Sequence, residues 1–311
     1  MRYFSMFSGI GGFEQGIRRA TNNEWECIGY SEIDKNAIKV YEQHFKGHKN
    51  YGDATAIIPE QLPDFDFLCG GFPCQAFSIA GKRLGFDDTR GTLFFEIARI
   101  LKVKRPGQFL LENVKGLLFH DNGGTFKTIV ATLVELGYCV EWQVLNSKNF
   151  GVPQNRERVF IVGHLGIGSG RKVFPINTGN KEIIKKGDVE CISGTISTKN
   201  QSGQAQWDGS TTLIKPAIPV LTPDRAEKRQ NGRRMKEDGE DSFTVTAQDQ
   251  HGVFDGHRIR RLTPTECERL QGFPDGWTEG LSDSARYRCL GNAVTVNVIE
   301  AIISKMVAES E

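Results

Sequence analysis

Short apolar runs alternate with amphipathic stretches over the first half of the chain. The apolar runs predict strands at residues 3–7, 27–31, 65–71, 109–112, 139–145 and 158–162. Between them, apolar positions with a helical period predict helices at residues 13–20, 35–45, 92–103 and 126–136. Strands and helices that alternate at this spacing are typical of a mostly parallel, doubly wound α/β sheet.

The pattern changes near Gly166. From there to residue 258 the chain is rich in Gly, Ser, Thr, Asn and Gln, and the clearest predicted strands are residues 192–198 and 243–247. A helix is predicted at 263–270, where Thr263 and Glu266 can form a capping box, and a last helix at 292–307. We therefore predict an α/β, Rossmann-like large domain of residues 1–175 plus 280–311 and a smaller, irregular, β-rich domain of residues 176–279.

Composition adds few constraints. The 311 residues carry a net charge of only +1, so overall charge does not indicate a nucleic-acid partner. Seven cysteines without a CxxC pair argue against a disulfide framework and fit a reducing cytoplasm. We see neither a signal peptide nor an apolar run long enough to span a membrane, and the histidines have no metal-ligand spacing. We therefore expect a cytoplasmic protein without a metal.

A glycine-rich turn follows the first predicted strand. Gly9, Gly11 and Gly12 would let the backbone approach a ligand closely. Glu32 ends the second strand, where an acidic group typically holds ribose hydroxyls, and Asp53 could accept a hydrogen bond from an adenine amino group. These residues predict a nucleoside-binding crevice. A dehydrogenase would fit the glycines and Glu32 equally well, and a glycine run alone is also what a simple tight turn requires.

The next buried strand runs directly into Pro73 and Cys74. Cys74 therefore falls at the carboxyl end of a strand, where open α/β sheets place their ligands. A cysteine thiolate is a strong nucleophile at neutral pH, which makes Cys74 a candidate nucleophile. The alternative is a buried, inert cysteine, which is the commoner fate of this residue type.

Four motifs occur in a fixed order. They are Phe-x-Gly-x-Gly-Gly at 7–12, Gly-Phe-Pro-Cys-Gln-x-Phe-Ser at 71–78, Glu-Asn-Val at 112–114 and Gln-x-Arg-x-Arg at 154–158. With two further blocks at 260–267 and 290–294, they make the chain resemble the DNA cytosine-C5 methyltransferases of bacteria and phages, which use S-adenosylmethionine. The resemblance covers residues 1–164 and 259–311 almost continuously, and the middle only by position.

The resemblance implies a set of catalytic residues. Cys74 would add to carbon 6 of cytosine, because the resulting enamine is nucleophilic at carbon 5. Glu112 would stabilise the charge at N3, which requires a pKa above the usual carboxylate range. Arg158 would bind the cytosine carbonyl oxygen, Arg156 would orient the glutamate or a phosphate, and Asn113 would position Glu112 or the base. Both arginines could instead be ordinary surface charges of an edge strand. No protein base is assigned for the carbon 5 proton, for which water or hydroxide suffices.

The resemblance also implies a binding site for S-adenosylmethionine. Phe7 would face its adenine, and Asn292 would bring the C-terminal helix back against the first domain. The full set of residues expected to bind the cofactor is Phe7, Gly9, Ile10, Gly11, Gly12, Glu32, Ile33, Asp53, Ala54, Pro73, Gln75, Leu93, Asn292 and Ala293.

DNA contacts are expected outside these motifs. By resemblance, residues 80–91 form a mobile lid over the flipped base, with Lys82 and Arg90 near phosphates. Thr244 lies in a short sequence similar to a threonine-containing signature of the family's recognition domains. Residues 225–236 hold six basic residues against one acidic, but acidic residues follow at once, so a phosphate-binding stripe and a self-neutralising loop both stay open.

These observations predict a DNA (cytosine-5-)-methyltransferase that flips a cytosine out of a short, specific double-stranded DNA site. We expect a monomer that is either a solitary modification enzyme or the functional partner of a restriction endonuclease. Two alternatives stay open. One is an RNA methyltransferase of the same fold, which the long stretch between Gly163 and Arg258 disfavours. The other is a non-catalytic DNA-binding protein, against which Cys74 and Glu112 argue.

Overall fold

A computed structural model gives the fold. It describes residues 1–73, 93–166, 172–176, 192–195 (backbone only), 218–221, 235–237, 239–247, 251–254 and 259–308. The helices in these ranges are α1 Gly12–Ala20, α2 Lys35–His44, α3 Leu93–Lys104, α4 Gly124–Glu135, α5 Pro264–Leu270, α6 Asp283–Asn292 and α7 Val296–Ala308. The strands are β1 Arg2–Met6, β2 Glu26–Ser31, β3 Phe67–Gly71, β4 Gln108–Val114, β5 Tyr138–Asn146, β6 Glu157–Leu165, β7 Ile192–Thr195, β8 Ile218–Leu221, β9 His251–Phe254 and β10 Ile259–Arg261.

Seven strands form one sheet in the order β2-β1-β3-β4-β6-β5-β7. Strands β2, β1, β3 and β4 pair in parallel, and β6 runs antiparallel between β4 and β5. The central β3 contributes Phe67, Leu68 and Cys69 at 0% exposure, because helices cover both faces of a parallel sheet and leave no polar side. The predicted doubly wound α/β fold is confirmed, and every strand and helix expected before residue 166 is present with small shifts of its ends.

The C-terminal helix returns to the first helix. Helix α7 packs on α1 at Gly16, where a Cβ atom would lie 2.6 Å from two carbons of Ile299. The predicted last helix began at residue 292, whereas α7 begins at Val296, because the chain is extended at Ala293 (ψ 150°) after α6 ends. Helix α6 was not predicted. By length and composition Asp283–Ala308 could cross a membrane, but it is broken into these two helices and is mostly buried inside the molecule.

Strands β8, β9 and β10 form a separate, small antiparallel sheet. This sheet agrees with the predicted β-rich smaller unit, although none of its strands was predicted individually. The prediction of a strand at 243–247 was wrong: the residues are not in either sheet, and Val245 bonds instead to the side chains of Gln154 and Arg156. Of the predicted strand 192–198, β7 covers 192–195, and it lies parallel to β5 at the edge of the large sheet.

Helix α5 begins at the predicted capping box. The Thr263 hydroxyl accepts a hydrogen bond from the Glu266 amide at 3.2 Å, and the Glu266 carboxylate accepts one from the Thr263 amide at 2.7 Å. Residues after α5 join a hydrophobic cluster with helix α2, in which Phe273 and Trp277 pack with Tyr41 and Phe45. Residues 273 and 277 therefore pack against the N-terminal part of the chain. The domain limits themselves stay a prediction.

Candidate active site

Glu112 and Arg158 meet on neighbouring antiparallel strands. On β4 and β6, Val114 pairs with Arg158 and Glu112 pairs with Phe160, so the two side chains are close in register. The Arg158 Nε lies 3.0 Å from the Glu112 Oε1, and the side chains are only 17% and 13% exposed. On the other side, Glu112 pairs with Gly71 at the end of β3, where a Cβ would lie 3.1 Å from Oε2. A side chain at residue 71 would therefore crowd the carboxyl group.

The surroundings of Glu112 favour its protonated form. Burial raises the pKa of the Glu112 carboxyl group, and the charges of Arg158 and Arg156 lower it by less. A carboxyl group that keeps its proton to higher pH can donate it to a base nitrogen. This is the electrostatic property that the sequence analysis required of Glu112.

Asn113 fixes the chain that leads to the predicted nucleophile. It is 2% exposed, and its Nδ2 donates to the Phe72 carbonyl at 2.8 Å, while its Oδ1 accepts from the Val114 amide at 2.8 Å. Asn113 thereby connects the end of β4 to Phe72, the residue before Pro73. Pro73 itself is exposed. Four predicted site residues lie outside the described residues, namely Cys74, Gln75, Lys82 and Arg90.

Arg156 is in a different environment from Arg158. It is 3% exposed, and its guanidinium donates to the main-chain carbonyls of Val245 at 2.6 Å, Gly291 at 3.2 Å and Ala293 at 2.8 Å. Burial lowers its pKa to about 9, so the group stays charged at neutral pH. The positive charge of Arg156 lowers the pKa of Glu112. Because the Arg156 side chain is buried, it has no surface with which to contact a phosphate.

The glycine-rich turn is tied to the end of β2. The Gly9 amide donates to the Glu32 carboxylate at 2.9 Å, and the amides of Ile33 and Asp34 donate to its other oxygen at 2.8 Å. Gly11 caps α1 with a φ of 85°, a left-handed conformation that favours glycine. The carboxylate of Glu32 is therefore held in one place beside the turn, with further lone pairs available to hydroxyl donors.

The backbone at Gly9, and at Gly52 in a later loop, is open on one side. Among the described residues, none would lie within 4 Å of a Cβ atom built at either glycine. Ile33 is 68% exposed and offers an apolar surface for a planar base. Asp53 is exposed, and hydrogen bonds from the Thr55 amide and hydroxyl hold its carboxylate and lower its pKa. An exposed apolar side chain next to Glu32, with Asp53 in the loop whose Asn50 bonds to the Glu32 backbone, fits a nucleoside.

The other predicted cofactor residues divide by exposure. Phe7, at a φ of 55°, and Leu93, at the start of α3, are half-buried, and Asn292 is exposed at the end of α6. The buried residues in this set face protein rather than solvent, and they are Ile10, Gly11, Gly12, Ala54 and Ala293. Their contribution to a ligand would come from the position of the backbone.

Two residues that support the site were missed from the sequence. Trp277 donates from its indole nitrogen to the Ile10 carbonyl at 2.9 Å, inside the glycine-rich turn. Gln271, which is 0% exposed, donates to the Leu290 carbonyl at 2.7 Å and accepts from the Thr295 hydroxyl at 2.9 Å. A glutamine within the apolar run 270–273 is a signal that could have indicated a buried polar network.

Thr244 is partly exposed, and its hydroxyl donates to the Asn155 carbonyl. A hydroxyl has one proton, so in this arrangement Thr244 has none to give to a phosphate. Within the ranges that the structure describes, no group of three or more His, Cys, Asp or Glu side chains could hold a metal ion. The DNA contacts and the independence from metals stay predictions.

The comparisons with known proteins agree on one family. The family model described as C-5 cytosine-specific DNA methylase matches residues 1–308. The chain is 41% identical to the type II methyltransferase M.HpaII of Haemophilus parainfluenzae, over 98% of this chain and 88% of the relative. It is 34% identical to the orphan methyltransferase M.SPRI of Bacillus phage SPR, over 99% of this chain and 97% of the relative.

Solved structures show the same fold at lower identity. The S. pombe Dnmt2 methyltransferase is 19% identical and superposes with a TM-score of 0.67, covering 99% of this chain and 98% of that one. The shared fold agrees with the family-model match over residues 1–308 and with the curated relatives. The chain therefore belongs to the family of C-5 cytosine-specific DNA methylases.

Proposed function

We propose that the protein moves a methyl group from S-adenosylmethionine to carbon 5 of a cytosine flipped out of a short, specific duplex DNA site, through a covalent adduct of Cys74. The observation that carries the proposal is the largely buried pair of Glu112 and Arg158, whose Oε1 and Nε atoms lie 3.0 Å apart at the edge of the sheet where β3 ends. The pair offers a carboxyl proton beside a fixed positive charge. A cytosine ring under attack needs these two groups, at N3 and at its carbonyl oxygen.

The chain's own residues support a cofactor site. A methyltransferase of this family uses S-adenosylmethionine, and the open turn at Gly9 with exposed Ile33 fits its adenosine. Glu32 would bind the ribose hydroxyls and Asp53 the adenine amino group. When bound, S-adenosylmethionine supplies the methyl group as an electrophilic carbon on a sulfonium. The protein's contribution is alignment of this carbon with carbon 5.

Addition opens the reaction. The Cys74 thiolate forms a bond to carbon 6, the C5=C6 electron pair moves to C4=C5, and the C4=N3 pair moves onto N3. Glu112 gives its proton to N3, and Arg158 holds the carbonyl oxygen. Cys74 follows Gly71 by three positions in the sequence, and Gly71 pairs with Glu112 across the strands, which supports attack from this edge.

Methyl transfer and elimination close the reaction. Carbon 5 would take the methyl group with its C4=C5 electron pair, the broken methyl–sulfur bond would leave its pair on the sulfur of S-adenosylhomocysteine, and the N3 lone pair would form C4=N3 again. Carbon 5 then loses its proton to water or hydroxide. The C5=C6 bond forms again, and the electron pair of the sulfur–carbon bond returns to Cys74 as a thiolate. N3 returns its proton to Glu112, so both residues are restored.

Double-stranded DNA is the proposed partner, and one subunit suffices for one target strand. The relatives include type II methyltransferases and an orphan phage methyltransferase. Their names support either a role beside a restriction endonuclease or a solitary one. We keep the division into a large domain of 1–175 plus 280–311 and a target-recognition domain of 176–279 as part of the proposal, with DNA in the cleft between them. A cytoplasmic location, in a bacterium or a phage-infected cell, follows from this role.

Bisulfite sequencing of plasmid DNA from cells that express the protein tests the proposal. The wild-type protein should yield one sharp methylated motif, and Cys74→Ser should yield none. Full methylation by Cys74→Ser would overturn the covalent mechanism. Folded wild-type protein that binds S-adenosylmethionine but methylates no DNA would favour RNA as the substrate or a binding-only role.

A further inference from the structure

Residues 242–247, here called the 242–247 segment, lie along the approach to β6. The Ser242 amide donates to the Pro153 carbonyl at 2.8 Å, and the Asn155 amide donates to the Ser242 carbonyl at 3.1 Å. Thr244 adds its hydroxyl bond to the Asn155 carbonyl. The segment is thus paired with residues 153–155 without being part of a sheet.

Two buried side chains then hold Val245. The Gln154 Oε1 accepts from the Val245 amide at 2.8 Å, and the Arg156 Nη1 donates to the Val245 carbonyl at 2.6 Å. Gln154 is 0% exposed and Arg156 is 3% exposed. Val245 itself is 1% exposed, whereas its neighbours Thr244 and Thr246 are partly exposed. Val245 therefore fixes the segment to the protein, while the residues on either side of it, Thr244 and Thr246, are partly exposed to solvent.

The end of α6 fits closely against the same segment. A Cβ atom at Gly291 would lie 2.3 Å from both the Ala247 nitrogen and the Thr246 carbonyl carbon. Only glycine leaves room for the backbone to pass there. The segment is consequently held from two sides, by hydrogen bonds at Val245 and by close packing at residues 246 and 247.

Arg156 joins this segment to the active site. Its Nη2 donates to the carbonyls of Gly291 and Ala293, which flank Asn292, a predicted cofactor residue. Its charge also acts on the Glu112 carboxyl group. One guanidinium therefore contacts the 242–247 segment and the end of α6 while influencing the catalytic acid.

Stability alone is a poor explanation for this arginine. Burial of a charge costs free energy that its hydrogen bonds must offset, and well-packed apolar side chains often replace buried ions without loss. Within the described residues the Arg156 Nε has no hydrogen-bond partner, which adds to this cost. The arrangement is better explained by a need for fixed geometry.

We infer that Gln154 and Arg156 are positioning residues that set the register of the 242–247 segment against Glu112 and Arg158, and thereby set how faithfully the enzyme selects its DNA site. The inference rests on the proposed function. A DNA duplex would contact the partly exposed residues of the segment. Because the segment has a fixed position relative to Glu112, this contact would set where the target cytosine lies relative to the Glu112 carboxyl group. A displacement of about 1 Å can cost about 100-fold in rate, so a small shift would change which sites are methylated.

The test compares the full-length variants Arg156→Lys, Gln154→Met and Gly291→Ala with Arg286→Lys as the control. Arg286 is also a mostly buried arginine, paired with Glu268 at 3.0 Å, but it lies outside the 242–247 contacts described here. Each protein is assayed for its dissociation constant for S-adenosylmethionine, its KM for plasmid DNA, its kcat, and the ratio of methylation at the preferred site to sites that differ by one base. Melting temperatures report loss of stability separately.

The three test variants should lower the methylation ratio about 10-fold or raise the KM for DNA by a similar factor, with cofactor affinity within about threefold. Arg286→Lys should lower only the melting temperature. Gly291→Ala keeps both Gln154 and Arg156, so its agreement with the other two would assign the effect to the segment.

Two results would overturn the inference. An unchanged ratio and KM with a reduced kcat would assign Arg156 to the chemistry. Normal ratio, KM and kcat per folded molecule, with lower melting temperatures, would make the contacts purely structural. A wild-type protein that methylates no DNA would instead overturn the proposed function, which the wild-type assay detects before any variant is compared.

Discussion

At the scale of single residues, the fully buried Glu14 and the largely buried Glu112 have raised pKa values for the same reason. Burial is the largest cause for both Glu112 and Glu14, and hydrogen bonds or nearby arginines oppose it only in part. Glu112 lies beside Arg158 at the end of β3, whereas Glu14 lies inside the molecule on α1. The consequences therefore differ: one should affect turnover and the other stability.

Glu112→Gln should lower kcat by about 100-fold or more, because the amide cannot give a proton to N3. In the wild type the raised pKa keeps Glu112 protonated to higher pH, so kcat should fall on the alkaline side as this proton is lost, and the variant should lack that limb. Single-turnover methylation across a pH series measures both effects. Equal kcat values, or an unchanged alkaline limb in the variant, would remove Glu112 from the acid role.

Glu14→Gln should change how stability depends on pH. Burial raises the Glu14 pKa from 4.5 to about 7. Between these values the folded protein keeps a proton that the unfolded chain has lost, so the free energy of unfolding falls as pH rises, by about 3 kcal/mol in total. The neutral glutamine should remove this loss, and the variant should gain stability over the wild type as pH rises from 4.5 to 8. Urea unfolding at several pH values measures it, and parallel curves would refute it.

At the scale of elements, the contact between α1 and α7 depends on one glycine. A methyl group at Gly16 would lie 2.6 Å from the Ile299 Cβ, so Gly16→Ala should reduce the free energy of unfolding by about 1–3 kcal/mol despite the higher helix propensity of alanine. Gly107→Ala is the control, because its Cβ would meet only the Asp66 carbonyl at 3.7 Å. Chemical denaturation measures the free energy of unfolding of both variants. Equal losses in the two would mean that α7 shifts to accommodate the added methyl group at little cost.

The elements differed in how well the sequence predicted them. Strands before residue 166 were predictable because burial of the sheet makes most of them apolar runs, and β3, which is parallel to both neighbours, is the clearest. Residues 243–247 have the same β-forming composition but receive their hydrogen bonds from Gln154 and Arg156, and a local pattern does not contain such a partner. Helix α6 has mostly polar or exposed positions, so it lacks the apolar stripe by which α4 was recognised.

The active site shows the same division. The motifs indicated that Glu112 and Arg158 belong to one candidate site, and the two side chains do meet, 3.0 Å apart, because strand ends and residue types are local information. The different surroundings of Arg156 did not, since its three carbonyl partners come from residues 245, 291 and 293. Spacing placed both arginines on one side of a strand, but β6 begins only at Glu157, after Arg156. Contacts between distant parts of the chain decide which arginine pairs with Glu112 and which is buried among main-chain carbonyls.

At the scale of the whole molecule, residues after α5 pack against the glycine-rich turn near the N-terminus. Phe273 and Val294 pack against Gly12, where a Cβ would lie 2.7 Å from the Val294 Cγ1 and 3.5 Å from the Phe273 ring. Trp277 bonds to the Ile10 carbonyl, and the His44 ring stacks on its indole with centroids 3.6 Å apart. The proposed cofactor turn is therefore shaped by residues more than 250 positions away in the sequence.

Trp277→Phe tests whether this closure matters for the cofactor. Phenylalanine keeps an aromatic ring in the cluster but loses the hydrogen bond to Ile10, which is worth about 1 kcal/mol. The turn at Gly9 should become less ordered, and the dissociation constant for S-adenosylmethionine should rise about fivefold, measured by calorimetry. Trp25→Phe is the matched control, because Trp25 packs on Phe67 near the start of β2. Equal affinities in both variants would mean that the turn holds its shape without the C-terminal residues, and the cofactor site would then belong to the N-terminal elements alone.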